Sequence, residues 1–274
     1  MCTVCRPTVL QRQQAEFGRS GAAAGLPSLD PDALVEAASR GPAVDVMDCL
    51  RRSFDLLKRE PLLCIGSVAI AGFLMLASGM IPIISLCISL LVNTPLLAGI
   101  WIVFIKSLRA QPASLEDVFA GFTSRWLPLV GLGLVQMLVV MGAMVPFALV
   151  FVGWGMVTGQ RGMPPMGVGV ILPGLIALVG FALILYVQVA MFLSVPLMVD
   201  RGYGVMDSLN TSRRIVNRHL GPMLLMLILS FLMTVGGVLA LCVGLLVATP
   251  LISGMWAAAY EDLCGSGVNR PTSG

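Results

Sequence analysis

Four stretches of this chain contain no Asp, Glu, Lys or Arg: 61–105, 126–160, 162–199 and 219–260. A soluble domain carries about 25% charged residues over its surface. Here the figure is 11%, and those charges are gathered between the runs, which excludes an ordinary water-soluble fold. About 20 apolar residues of helix cross the hydrocarbon of a bilayer. A backbone in lipid must satisfy its own hydrogen bonds, and the runs lack the short alternating pattern of a barrel strand, so they are expected to be helices.

Groups that could do chemistry are equally scarce. The single His, His219, opens an apolar run beside Arg218 and reads as a helix end facing headgroups, not as a general base. No HExxH, GxSxG or GxxxxGK[ST] occurs, and Gly131-x-Gly133 and Gly202-x-Gly204 lack the third glycine of a dinucleotide loop. Glu116-Asp117 and Glu261-Asp262 are adjacent carboxylates, and helical neighbours do not face one another. No catalytic, cofactor or metal site is expected. An intramembrane charge would mark a transport function by default, and its absence from the runs argues against proton- or ion-coupled transport. Neutral polar residues remain there: Asn93, Thr94, Gln136, Gln188, Ser230, Thr234 and Thr249. Hydrogen bonding between helices, at about 0.6–2 kcal/mol each, is their simpler role.

The seven cysteines do not read as a disulfide framework. Cys64, Cys87 and Cys242 fall inside apolar runs, where a thiol acts as a small hydrophobe. Cys2, Cys5, Cys49 and Cys264 fall on the side assigned below to the cytoplasm, where thiols stay reduced. Cys2-Thr-Val-Cys5 is a lone CxxC without a second ligand pair, and a floppy tail is the better reading. Asn210-Thr-Ser212 spells a glycosylation sequon that would go unused on that side.

What is present is repetition. Thr94–Leu108, TPLLAGIWIVFIKSL, returns at Thr249–Leu263 as TPLISGMWAAAYEDL, identical at six of fifteen positions. Val46–Arg59, VMDCLRRSFDLLKR, returns at Val205–Arg218 as VMDSLNTSRRIVNR, identical at six of fourteen. The two offsets, 159 and 155 residues, differ by about one helical turn. Leu115-Glu-Asp117 and Val195-Pro196-Leu197 align as a decayed third copy. Fixed-period self-similarity of this kind defines the architecture before any single motif does.

The expected fold is therefore all-α: a polytopic membrane protein with six transmembrane helices, built as three parallel repeated hairpins, each preceded by an interfacial amphipathic helix. The units are 46–108, 115–198 and 205–263, within a membrane domain spanning 46–263. Residues 1–45, which lack a signal-peptide core, are expected to be a disordered cytoplasmic tail, and 264–274 a polar one. Val46, Met47, Leu50, Phe54 and Leu57 form the apolar side of the first lead-in helix, opposite Arg51, Arg52, Asp55 and Lys58. Turns are expected at Ser78-Gly79 with Pro82, in a loop at 155–167, and at Gly236-Gly237. Pro95, Pro196 and Pro250, late in each second helix, are expected to kink it.

Sixteen of the seventeen Lys/Arg fall with the termini and the inter-unit connections, and only Arg161 falls opposite. By the positive-inside rule both termini are cytoplasmic. Trp101, Trp126, Trp154 and Trp256 lie near expected span ends and read as interfacial aromatics. Two spans per unit make the repeats parallel, unlike the inverted repeats of many transporters.

Pro196-Leu-Met-Val-Asp-Arg-Gly-Tyr-Gly-Val-Met-Asp-Ser-Leu-Asn-Thr-Ser212 and the hairpin ending Pro250…Tyr260-Glu-Asp-Leu263 carry a resemblance. Over 46–263 the chain resembles bacterial six-helix integral membrane proteins of unknown function. These are similar in layout to the membrane domain attached to some glycerophosphodiester phosphodiesterases. The resemblance implies the six-helix layout and no hydrolase activity, since no catalytic phosphodiesterase domain is present.

These features lead to a non-enzymatic inner (plasma) membrane protein, a lipid-contacting or partner-binding envelope component. Its partners are membrane lipids, with anionic lipid expected at Arg51, Arg52, Arg213 and Arg214, and no nucleic acid. The competing reading is a permease for a lipid or small apolar solute, with its path near Asn93, Gln136 and Gln188.

Overall fold

The computed structural model describes residues 30–40, 44–79, 85–124, 126–161, 168–240 and 243–265, and every regular element among them is helical. In chain order these are α1 (Pro31–Arg40), α2 (Val46–Arg59), α3 (Pro61–Gly79) and α4 (Ser85–Leu108). A 3-10 turn (Leu115–Phe119) runs into α5 (Ala120–Ser124). Then come α6 (Trp126–Arg161), α7 (Val168–Phe192), α8 (Ser194–Asp200), α9 (Val205–Arg218), α10 (Leu220–Leu239) and α11 (Val243–Cys264).

Local chemistry sets several of these boundaries. The Asp45 carboxylate accepts from the Met47 and Asp48 N–H groups at 3.0 and 3.4 Å, capping α2. Pro61 opens α3 at the first helical position, where its missing N–H costs nothing. The Ser114 N–H donates to Asp117 at 2.9 Å and starts the 3-10 turn.

Among the described residues, five helical stretches are long and apolar enough to cross a membrane: Pro61–Ser78, Leu91–Leu108, Trp126–Val150, Gly174–Asp200 and Leu220–Leu239. Their outward faces carry Leu62, Phe73, Leu76, Leu149, Phe181, Phe231 and Leu239, all exposed. Apolar surface on this scale belongs in lipid, because monomers in water rarely expose large contiguous apolar patches. The class is a helical membrane protein. Helix α11 is of similar length, carries no Asp, Glu, Lys or Arg from Val243 to Tyr260, and has Met255–Tyr260 buried in protein.

The lead-in segments do not lie isolated at a surface. Helix α2 packs along α11, the Leu115–Ser124 segment along α4, and α9 along α7 and α8. Glycines permit two of these approaches. A Cβ on Gly99 would overlap the Val118 carbonyl, and one on Gly254 would overlap the Ser53 side chain. Both are the glycine of the repeated Thr-Pro-Leu-x-x-Gly. The equivalent residues Ser53 and Ser212 each donate from Oγ to a backbone carbonyl on the neighbouring helix, Leu251 and Ala190, both at 2.7 Å.

Several expectations change here. Pro31–Arg40, expected within a disordered tail, is a helix that buries Leu34, Val35 and Ala38. Its i, i+1, i+4 apolar spacing is the reason. Helix α6 continues to Arg161, into the expected loop at 155–167, of which 162–167 lie outside the described residues. Gly236-Gly237 is not a turn, because α10 runs through it. A Cβ on Gly237 would press on the Gly244 backbone, so this glycine serves close helix packing. Pro82, the Cys2–Cys5 pair, Cys242 and 266–274 also lie outside the described residues, as does the Cys87 side chain.

Pro95 and Pro250 sit inside continuous helices, as does Pro146. Pro95 cannot donate to the Leu91 carbonyl four residues back, and the Trp126 indole Nε1 donates to it at 3.4 Å. Pro196 differs. The helix breaks at Leu193, and Pro196 lies in the first turn of α8. Pro250 directly precedes its serine-bonded carbonyl at 251, whereas Pro196 follows its own, at 190, by six residues. The third proline therefore stands about two helical turns further along its helix.

Candidate functional site: an ion-pair cluster at the ends of α4, α8 and α11

Arg109 directly follows α4, Asp200 ends α8, and Tyr260 and Glu261 sit near the end of α11. The three ends meet. Arg109 holds the Asp200 carboxylate with two parallel bonds at 2.7 and 2.8 Å, and reaches Glu261 at 2.6 Å. The Tyr260 hydroxyl donates to the second Asp200 oxygen at 2.9 Å. Arg201 donates to the carbonyls of Cys264 and Gly265, closing the C-terminal end of α11 with a cation where the helix dipole is negative. The Arg109, Asp200 and Glu261 side chains are only 9%, 4% and 11% exposed. Burial alone would lower the Arg109 pKa. The hydrogen bonds and charge of Asp200, then Glu261, outweigh it and hold the guanidinium charged.

A second pairing lies beside this one. Asp262 takes two bonds from Arg52 of α2, at 2.8 and 2.5 Å, and Arg52 also meets Asp48 at 2.8 Å. The Cys49 thiol donates to Asp262 at 3.6 Å. Burial, and then the Asp262 charge, push the Cys49 pKa up to about 12. Burial likewise pushes Cys264 up to about 12. Both thiols are free and stay protonated at neutral pH. Lys106 pairs with Asp117 at 2.7 Å, fastening the 3-10 turn to α4.

An aromatic layer adjoins the cluster. Trp101 meets Phe192 and Tyr260 edge-on, with ring centroids 5.3 and 6.3 Å apart, and Phe192 lies 4.4 Å from Trp256. The Trp256 indole donates to Ser230 at 3.0 Å. Trp101 and Trp256 are thus buried in protein, which corrects their reading as interfacial aromatics. Trp126 is exposed, and the Trp154 side chain lies outside the described set.

The three residues expected along a transport path are not joined by hydrogen bonds. Asn93 Oδ1 accepts from Ser78 at 3.4 Å, between α3 and α4. Gln136 donates to the Met191 carbonyl at 3.2 Å and to Ser194 at 3.0 Å, bracing the break between α7 and α8. Gln188 is exposed on α7. Of the four arginines expected to meet anionic lipid, Arg52 is paired with Asp262 and Arg214 with Asp32. Arg51 and Arg213 are exposed, with no ion pair among the described residues.

The cluster itself escaped the sequence because its members are far apart along the chain. One signal was available: each of its charges stands at the end of an apolar helix. Adjacent residues on a helix point apart, as Glu261 and Asp262 do, and for that reason each reaches a different arginine. In chemical terms the arrangement can clamp three helix ends. Its polar atoms pair mainly with one another. Comparison of the chain with protein-family models, with characterised proteins and with solved structures finds no match.

Proposed function

We propose that the chain is a six-span inner-membrane protein with both termini in the cytoplasm, acting without catalysis as a lipid-contacting or partner-binding envelope component. The observation that carries this reading is the cluster. The most buried charges bond to each other and to helix ends, while the outer helix faces are apolar. That is the chemistry of a rigid scaffold in lipid.

Three packing relations support the repeated-hairpin arrangement. Each lead-in segment lies on the second helix of the hairpin before it, and α2 of the first hairpin closes onto α11 of the third. Three parallel units would form a closed ring in this way, with the cluster at its centre. Helix α11 then serves as the sixth span. The Arg52–Asp262 pair supports this, since it ties the end of α11 to the helix that precedes the first span. The sixteen cations on one side supply the orientation.

Reconstitution tests the reading. Purified protein in liposomes is expected to leave labelled phospholipid and small apolar solutes where they were. Movement of either, abolished by Asn93→Leu and Gln188→Leu, would replace the scaffold reading with a permease.

A further inference from the structure

Helix α1 is ten residues long, and an isolated helix of that length is marginal in water. It is nevertheless docked. Leu34, Val35 and Ala38 are almost wholly buried within the main apolar cluster, against α9 and α11. Its acidic first turn meets a basic helix: Asp32 pairs with Arg214, and the Val35 carbonyl accepts from Arg218 at 3.5 Å. Here α1 is a mould of the surface beneath it, which takes apolar side chains at i, i+1 and i+4 with a carboxylate two residues ahead of them.

We propose that the α9/α11 surface is a docking groove for an acidic amphipathic helix of a partner protein, and that α1 is its removable occupant in cis. The complementarity is in the contacts: Asp32 on the helix meets Arg214 of α9, and Arg218 of α9 donates to the Val35 carbonyl. A short helix with few buried side chains is suited to exchange, because a competitor need replace only three apolar contacts and one ion pair. The apparent affinity for a partner is then lowered by the fraction of time α1 occupies the groove. This deepens the partner-binding reading given above and rests on it for its use. The groove's competence does not depend on the number or orientation of spans.

The test uses the full chain in detergent micelles and a fluorescent peptide with the sequence of residues 29–41. Leu34→Asp with Val35→Asp should undock α1 and raise peptide affinity at least tenfold over the parent chain. Asp32→Lys, which opposes Arg214 without touching a buried position, should raise it by a smaller factor. Adding Arg214→Glu to either variant should remove most of the gain. Equal peptide binding by the parent and both variants would overturn the proposal. So would variants that ignore the peptide and instead bind vesicles of anionic phospholipid more tightly than the parent, since lipid would then be the occupant. Either failure leaves the liposome result, and with it the scaffold reading, untouched.

Discussion

Removing Arg109 should cost far more than removing any exposed cation. The Arg109→Met variant removes the cation that bridges Asp200 and Glu261, in a site where their side chains are 4% and 11% exposed. Breaking a buried pair by deleting one partner costs about 3–5 kcal/mol, because an uncompensated charge stays in low dielectric. The exposed Arg40–Glu36 pair sets the contrast, with side chains 76% and 62% exposed. Pairs of that kind contribute about 0–1 kcal/mol. Against a typical total stability of about 5–15 kcal/mol, the Arg109 loss is a large share. Replacing Arg109 and its partners by apolar residues should restore part of it, since the desolvation penalty of those three charges disappears while Arg201 keeps its bonds to the Cys264 and Gly265 carbonyls. The restoring variant is Arg109→Met, Asp200→Leu, Glu261→Leu and Tyr260→Phe. The last change is included because the hydroxyl would otherwise lose its acceptor. The assay is reversible SDS unfolding in mixed micelles, followed by fluorescence of Trp101 and Trp256, which flank the cluster. A loss under 1 kcal/mol for Arg109→Met, or no recovery in the fourfold variant, would refute the reasoning.

Three further outcomes rest on other packing and burial in the fold. Gly99→Ala drives a methyl into the Val118 backbone, which cannot rotate away as a side chain can, so it should cost about 1–3 kcal/mol in the same unfolding assay. Gly72→Ala, with open space at the Cβ position, should be neutral or stabilising by up to about 1 kcal/mol. In alkali, Cys49 and Cys264 keep their protons in the folded chain up to about 12 and lose them from about 9 when unfolded. The unfolded state then binds fewer protons, so stability should fall from pH 9 towards pH 12, by up to about 1.4 kcal/mol per unit for each thiol. Cys49→Ala with Cys264→Ala should flatten that slope, as read from unfolding midpoints between pH 8 and 11.

The periodic and compositional features were legible in the chain. The bounds of α2 and α9 coincide with the repeated blocks 46–59 and 205–218, because a capping Asp45 and the breaks before Pro61 and at His219 are local chemistry. Helix existence in the charge-free runs follows from lipid's demand for internal hydrogen bonds. What was not legible depends on which helix faces which. Arg52 carries the charge of an interfacial residue and is used instead to hold α11. Gly236-Gly237 has the composition of a turn, and its glycine backbone is used to bring α10 against α11. Trp101 and Trp256 stand near helix ends, as interfacial aromatics do, yet a neighbouring helix covers them. In each case the local signal was real and the tertiary partner decided its use. The repeated Thr-Pro-Leu-x-x-Gly element shows the division clearly. Its proline position was readable, whereas its glycine as the crossing point for a lead-in segment was not.

The number of spans decides the reading most directly, because five spans would leave the termini on opposite sides and six would bring them together. A folding-sensitive reporter fused after residue 274 measures this, beside reporters fused after 112 and after 160. Cytoplasmic signals at 112 and 274 with an external signal at 160 are the expected result. An external signal at 274 would contradict it, removing α11 as a span and the third hairpin with it.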